Sequence, residues 1–255
     1  MIDTHVHLED ERLLPQVDQI VSDFDKDCLQ FVINNSCNLQ SMTKAYELAQ
    51  KYPNVYCTVG MHPHDAKDFN DQFAQLMQQC ATHPKVVAVG EIGLDYYYDL
   101  SDRATQRDVF AHQIEIADKL HLPITLHVRD AYGDALDVLT AQKNYLNNGV
   151  LWHCYSGSAE FARQMAKKGH YFAFGGAITF KNANKDEVIK NVPFEQVLCE
   201  TDCPYMTPVP FRGKTNYPKY VRYVVEKLAT TYGVDFDTME NQILTNCKRI
   251  FTKIQ

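Results

Sequence analysis

The sequence predicts an α/β protein of the (β/α)8 TIM-barrel type, one domain over residues 1–255. Two observations carry that expectation. Short apolar runs alternate with longer amphipathic runs along the whole chain, at roughly 30-residue spacing, which is the pattern of parallel strands joined by crossover helices. Histidines or carboxylates end six of the apolar runs, and barrels place their active sites at the C-terminal ends of the strands. An absence supports both: no Gly-x-Gly-x-x-Gly follows the first apolar run, so a dinucleotide-binding open sheet loses its main argument.

The expected strands are Ile2–His7, Gln30–Asn35, Val55–Gly60, Val86–Glu91, Pro123–His127, Val150–Cys154, Tyr171–Phe174 and Gln196–Cys199. Each is a short, nearly continuous apolar run, as strands covered on both faces should be. The amphipathic stretches between them predict helices over Leu13–Phe24, Met42–Lys51, Phe69–Thr82, Ala104–Leu120, Tyr132–Gln142, Ala159–Lys168 and Lys185–Lys190. A final pair is expected over Pro218–Tyr232 and Thr238–Lys253. Ser101 and Ser158 stand where N-caps belong, and Pro53, Pro84, Pro123 and Pro193 stop helices before the next strand.

Composition narrows the function. With a net charge of -7, the chain lacks a broad electropositive surface for gripping many phosphates, although a small basic rim or bound cations remain open. The eight Cys form no CxxC pair, and most lie in apolar runs. They read as reduced, buried thiols in a reducing compartment, which with no signal segment and no apolar run of about 20 residues points to a cytoplasmic enzyme.

The strand ends carry the chemistry. His5 and His7 lie two apart on the first strand, so their imidazoles share one face. His62 follows the third strand, Glu91 ends the fourth, His127 the fifth, His153 the sixth, and Asp202 follows the eighth. Alone, each has a structural explanation: a satisfied core histidine, a cap or a surface pair. Together, His5, His7, His127 and His153 with Glu91 and Asp202 exceed what one tetrahedral ion needs. They suit two divalent ions about 3.5–4 Å apart, bridged by a carboxylate.

These segments also carry a resemblance. Asp-Thr-His-Val-His-Leu at 3–8, Gly-Met-His-Pro-His-Asp at 60–65, Gly-Glu-Ile-Gly-Leu-Asp-Tyr-Tyr at 90–97, Leu-His-Val-Arg-Asp at 126–130, His-Cys-Tyr-Ser-Gly-Ser at 153–158, Glu-Thr-Asp-Cys-Pro-Tyr at 200–205 and the segment 210–218 resemble the TatD family of metal-dependent deoxyribonucleases. The departures are Tyr155 where that family commonly has Phe, and Cys203 where a small residue is usual. The resemblance implies that His5, His7, Glu91 and Asp202 hold one ion and that Glu91, His127 and His153 hold the other. It implies phosphodiester hydrolysis in DNA, on single-stranded or frayed ends as an exonuclease, with Mg2+ or Mn2+. The mixed nitrogen and oxygen ligands leave Zn2+ open. Asp202 is the expected proton acceptor for the attacking water as well as a ligand, with Glu91 the other catalytic carboxylate.

Substrate contacts are expected from His62, Arg129, Arg212 and Lys214, the last two in a loop after the eighth strand where barrels often bind phosphate. His62 reads as a phosphate contact or a further ligand, and His64 as local structure. Arg129 reads as a phosphate contact or as the partner of Asp130 or Asp134. Tyr96, Tyr97, Tyr98 and Tyr155 offer faces for unpaired bases. Cys154 and Cys203 read as bystanders. The competing expectation is an amidohydrolase or phosphotriesterase-like enzyme acting on a small amide, lactone or ester, which would commonly use a carbamylated lysine bridge; here Glu91 holds that strand end, and Lys85 precedes the strand. A metal-binding scaffold without catalysis is a third expectation, weakened by the full ligand set. A monomer is expected, with no membrane association.

Overall fold

In the computed structural model, which describes residues 1–254, eight parallel strands follow one another around a barrel in the order β1 to β8. They are β1 (Ile2–Val6), β2 (Phe31–Asn34), β3 (Val55–Val59), β4 (Val86–Asp95), β5 (Ile124–Arg129), β6 (Val150–Trp152), β7 (Tyr171–Phe174) and β8 (Val197–Cys199). Outside them lie α1 (Val17–Ser22), α2 (Leu39–Lys51), α3 (Asp71–Ala81), α4 (Arg103–Lys119), α5 (Tyr132–Ala141), α6 (Ala159–Ala166), α7 (Asp186–Lys190), α8 (Val221–Tyr232) and α9 (Phe236–Ile250). No helix among the described residues is long and apolar enough to cross a membrane.

Strand β8 has only three residues, too few for a full ladder with β1. The segment that follows it closes the seam instead. Val6 bridges Cys203, His7 N donates to Cys203 O at 2.8 Å, and Asp202 N donates to His5 O at 2.9 Å. The buried carboxylate of Asp3 accepts from Thr201 N at 2.9 Å and Thr201 Oγ1 at 2.6 Å. The N-terminus is therefore built into the barrel: Met1 is buried, and its ammonium pairs with Glu240.

The expected β4 ended at Glu91, but the strand continues to Asp95. Glu91, Gly93 and Asp95 break the apolar run, which is why the extension looks like a loop in sequence. Gly93 makes it a strand: its φ is +140°, and a Cβ there would lie 2.0 Å from His127 O. Only glycine lets β4 and β5 approach so closely, and their register continues through Gly93 opposite His127 to Asp95 opposite Arg129.

Helix α4 braces the strand ends from outside. Its apolar residues Phe110, Ile114 and Ala117 face the barrel, with two buried glutamines on the helix. Gln113 accepts from Met61 N at 2.8 Å and donates to Met61 O at 3.0 Å; Gln106 does the same for Asp95 at 2.8 and 3.2 Å. Two-point amide pairing fixes the loop backbone after β3 and the end of β4, where β3 and β4 no longer pair with each other. The cap of α4 is Asp102, which accepts from Thr105 N, and not Ser101 as expected. Ser101 is buried and donates to His64 O at 2.9 Å, so its hydroxyl serves the site loop instead. Ser158 does cap α6.

Candidate metal centre

Strand alternation turns His5, His7 and Glu91 into the barrel mouth, where they meet His62, His127, His153 and Asp202. Glu91 lies at the middle of this group and is 3% exposed. Its Oε2 is 3.3 Å from His5 Nε2 and 3.9 Å from His7 Nε2; its Oε1 is 2.8 Å from His127 Nδ1, 3.5 Å from His153 Nε2 and 3.8 Å from His62 Nε2. Asp202 Oδ1 completes the first half, 3.5 Å from His7 Nε2 and 3.9 Å from His5 Nε2. The two oxygens of one carboxylate thus face two separate donor groups.

Close donor spacing of the kind metal ligation needs marks His5, His7 and Glu91 as one cluster, His5, His153 and Asp202 as a second, and His62, Glu91 and His127 as a third. Two donors each about 2.1 Å from one ion, at right or tetrahedral angles, lie about 3.0–3.4 Å apart. His5 Nε2 and His7 Nε2 are 3.2 Å apart. The protons fit as well, because a ligating imidazole gives its other N–H to a carbonyl or carboxylate. His7 Nδ1 lies 3.1 Å from Asn35 O, and His127 Nε2 lies 2.9 Å from Asp95 Oδ2. His153 Nδ1 sits 2.9 Å from Glu200 Oε1, a close ion-pair approach without hydrogen-bond alignment, while Oε1 also accepts from Cys154 N at 2.7 Å. Each arrangement leaves the inward nitrogen free to ligate. His5 Nδ1 is buried with no partner.

His62 is arranged the other way. Its Nδ1 accepts from His64 N at 3.1 Å, so the neutral ring carries its proton on Nε2, pointing into the site. That tautomer makes His62 a hydrogen-bond donor there, which favours the expected phosphate contact over ligation. Burial pushes its pKa well below that of free imidazole, and His127 adds to that. His64, expected to be local structure, instead places Nε2 3.0 Å from Asp95 Oδ2. Asp95 therefore ties His64 and His127 together.

Charge is balanced within the cluster. Burial alone would raise Glu91, but the imidazoles of His153 and His5 and hydrogen bonds from His127 and His5 hold it well below the ordinary carboxylate range. Burial also works to raise Asp202, and His7, His153 and His5 outweigh it. His153 runs against its own desolvation: Glu200 and Glu91 lift it to about 9. Against burial, the carboxylates raise His7, His127 and His153 and favour their protonated forms, whereas burial and the neighbouring His153 lower His5; a divalent ion bound there would displace the protons.

Other expected contacts fare differently. Asp134 pairs with Arg107 and accepts from Tyr96 OH, so it is not the partner of Arg129. Arg129 lies 3.8 Å over Tyr97 and 4.9 Å over Tyr98, both more than half exposed. Tyr155 offers no stacking face; it is 3% exposed and packed edge-on against Trp152, Phe172 and Phe174. Arg212 lies over Phe180, and Lys214 stands 5.8 Å from the Phe211 ring, both cations exposed. Cys203 is buried in the closing seam, whereas Cys154 offers its thiol beside His153 and Glu200. Lys85 reaches Pro53 O and stacks over Tyr56 at 4.3 Å, so it supplies no bridge. Sequence reasoning missed Asp95 and Glu200 as supporting carboxylates. Both lie inside the motifs, and the available signal was a carboxylate four residues after Glu91 and another two before Asp202.

Residues 2–252 match the family described as TatD related DNase. The metal-dependent hydrolase YabD of Bacillus subtilis is 38% identical over 98% of both chains. The 3'-5' ssDNA/RNA exonuclease TatD of Escherichia fergusonii is 29% identical, again over 98% of both. Among solved structures, the TatD homolog YJJV of Escherichia coli K12 superposes with a TM-score of 0.92 at 27% identity, covering 99% of this chain and 98% of that one.

Proposed function

The chain belongs to the TatD-related DNase family of metal-dependent hydrolases, and from that premise we propose that it removes nucleotides from the 3' end of single-stranded or frayed DNA at a two-ion centre. One observation carries the reading: five imidazoles lie within 3.9 Å of the two oxygens of Glu91, divided between them. His5, His7, Asp202 and Glu91 Oε2 form one ligand group; His127, His153 and Glu91 Oε1 form the other. Divalent ions bound there, Mg2+ or Mn2+, would supply positive charge to the phosphate oxygens and acidify water.

The chain's own groups do the rest. Asp202 turns Oδ1 toward His7, which leaves Oδ2 to accept the proton of the attacking water. His62 donates from Nε2 to a non-bridging phosphate oxygen. Asp95 and Glu200 hold His127 and His153 in the tautomers that face inward. The eight free thiols suit a reducing compartment.

The test is direct. Purified protein with Mn2+ should shorten a 5'-labelled single-stranded oligonucleotide with a free 3'-hydroxyl, and a chelator should stop it. Turnover of a lactone or amide panel with DNA left intact would refute the nuclease reading in favour of the small-substrate alternative.

A further inference from the structure

The barrel mouth is electrically divided. On the β1 and β2 side, a groove of about 910 Å³ opens beside His7. Its walls carry Glu9, Asp10, Glu11 and Glu47 against two cations, Lys44 paired with Glu47 and Arg12 paired with Asp10, which leaves the groove net negative, with Tyr205 along one edge. On the far side, the exposed Arg129, Lys181, Arg212 and Lys214, with the half-buried Lys185, follow β5, β7 and β8. Lys185 reaches Ser156 O at 2.6 Å after β6, and Arg212 stacks on Phe180 at 4.3 Å after β7; Asp186 and Glu187 lie beside Lys181 and Lys185 on this side.

The acidic groove is nevertheless built to take something. Tyr205 is 47% exposed, held by Arg12 at 4.4 Å from its ring and by its hydroxyl on Asp10 at 3.3 Å, with the His7 ring 6.2 Å away. Such a fixed, open aromatic face beside a reaction centre suits a base. The Glu9 side chain is only 9% exposed; Oε1 approaches His7 Nδ1 at 3.3 Å, and Oε2 has no partner. A buried carboxylate oxygen without a donor calls for one, and a sugar hydroxyl or base amine supplies it. The groove volume lies in the range of pockets that take small molecules.

Resting on the nuclease reading, we propose that this groove is the subsite for the terminal nucleoside, bound without a phosphate beyond it, and that the polyanionic remainder of the strand leaves over the β5–β8 loops. An acidic chain then handles a polyanion by placing only one uncharged residue in its negative half. The same geometry fixes which bond breaks if digestion is to repeat. The oxygen of water forms the new bond to phosphorus, the bond from phosphorus to the sugar oxygen of the shortened strand breaks, and that oxygen takes the proton. The phosphate leaves on the released nucleotide, and the strand again ends in the hydroxyl the groove accepts.

The experiment compares single-stranded oligonucleotides ending in a 3'-hydroxyl or a 3'-phosphate, each with a 5'-hydroxyl or 5'-phosphate, in Mn2+. Release of the terminal nucleotide should be at least about tenfold slower from the 3'-phosphate, through repulsion by the groove carboxylates, and indifferent to the 5' group. The double variant Glu11→Lys/Glu47→Lys should cut that discrimination, read within the variant as the ratio of its rates on the two 3' ends, to about threefold or less. Released products should be nucleoside monophosphates. Equal rates on both 3' ends, or discrimination unchanged in the double variant, would overturn this inference while leaving the nuclease reading standing. No cleavage of any oligonucleotide would overturn both.

Discussion

Replacing Glu200 by alanine separates metal positioning from fold stability. The wild-type carboxylate does two things: Oε1 stands 2.9 Å from His153 Nδ1 and accepts from Cys154 N at 2.7 Å. Losing the first frees the imidazole to rotate or to take the wrong tautomer, and such outer partners typically govern metal affinity by about 10–100-fold, or about 1.4–2.8 kcal/mol. Losing the second strands a backbone N–H and costs about 1–3 kcal/mol of stability, at about 2–4 °C of Tm per kcal/mol in a chain of this size. Glu200→Gln keeps the shape and an acceptor for Cys154 N but removes the charge facing His153. It should therefore recover most of the stability and little of the metal affinity. Calorimetric titration of chelator-treated protein with Mn2+ gives the affinity, and thermal denaturation without metal gives the stability. Unchanged affinity for the ion assigned to His127 and His153 in Glu200→Ala would refute the role given to this carboxylate.

Three further outcomes follow from the geometry. Asp202→Asn should lose at least about 100-fold in kcat through removal of the proton acceptor, with His5, His7 and Glu91 still retaining metal; near-normal turnover with both ions bound would contradict the base assignment. His62→Phe should lower kcat without changing metal stoichiometry, because its Nε2 donates and does not ligate; loss of an ion in that variant would reverse the tautomer argument. His170 accepts from Trp152 Nε1 at 3.0 Å, and burial, with a smaller push from Lys168, lowers it to about 4. Unfolded chains bind that proton from pH 6.5 downward while the fold refuses it until about pH 4. Metal-free protein should therefore lose up to about 3 kcal/mol as pH falls across that window and no more from this group below it. Denaturant titrations of wild type and His170→Gln read the difference, and identical slopes would remove His170 as its source.

The eight βα units were legible because strands covered on both faces read as unbroken apolar runs, and because helices such as α2 repeat buried positions at Met42, Ala45 and Leu48. The gathering of His5, His7, Glu91, His127, His153 and Asp202 was legible because strand ends place side chains at one mouth. What lay hidden depends on partners distant in sequence. The continuation of β4 is stabilised by Gly93 meeting His127 O and by carboxylates meeting imidazoles from other strands, none of which a local window contains. Asp95 and Glu200 resemble any loop carboxylate until β5 and β6 bring His127 and His153 to them. Tyr155 reads as a stacking face by type alone, and only the packing of β7 shows that it belongs to the core. The division of charge around the mouth combines residues from loops far apart in the chain, so net charge conceals it.

Glu91 turns its two oxygens to two separate groups of imidazoles. Counting the Mn2+ ions bound per chain tests this most directly, in wild type and in Glu91→Gln. Two ions in the wild type, with at most one weakly held ion and no DNA cleavage in the folded variant, are the predicted result. A single ion in the wild type, or two ions undisturbed in Glu91→Gln, would contradict it.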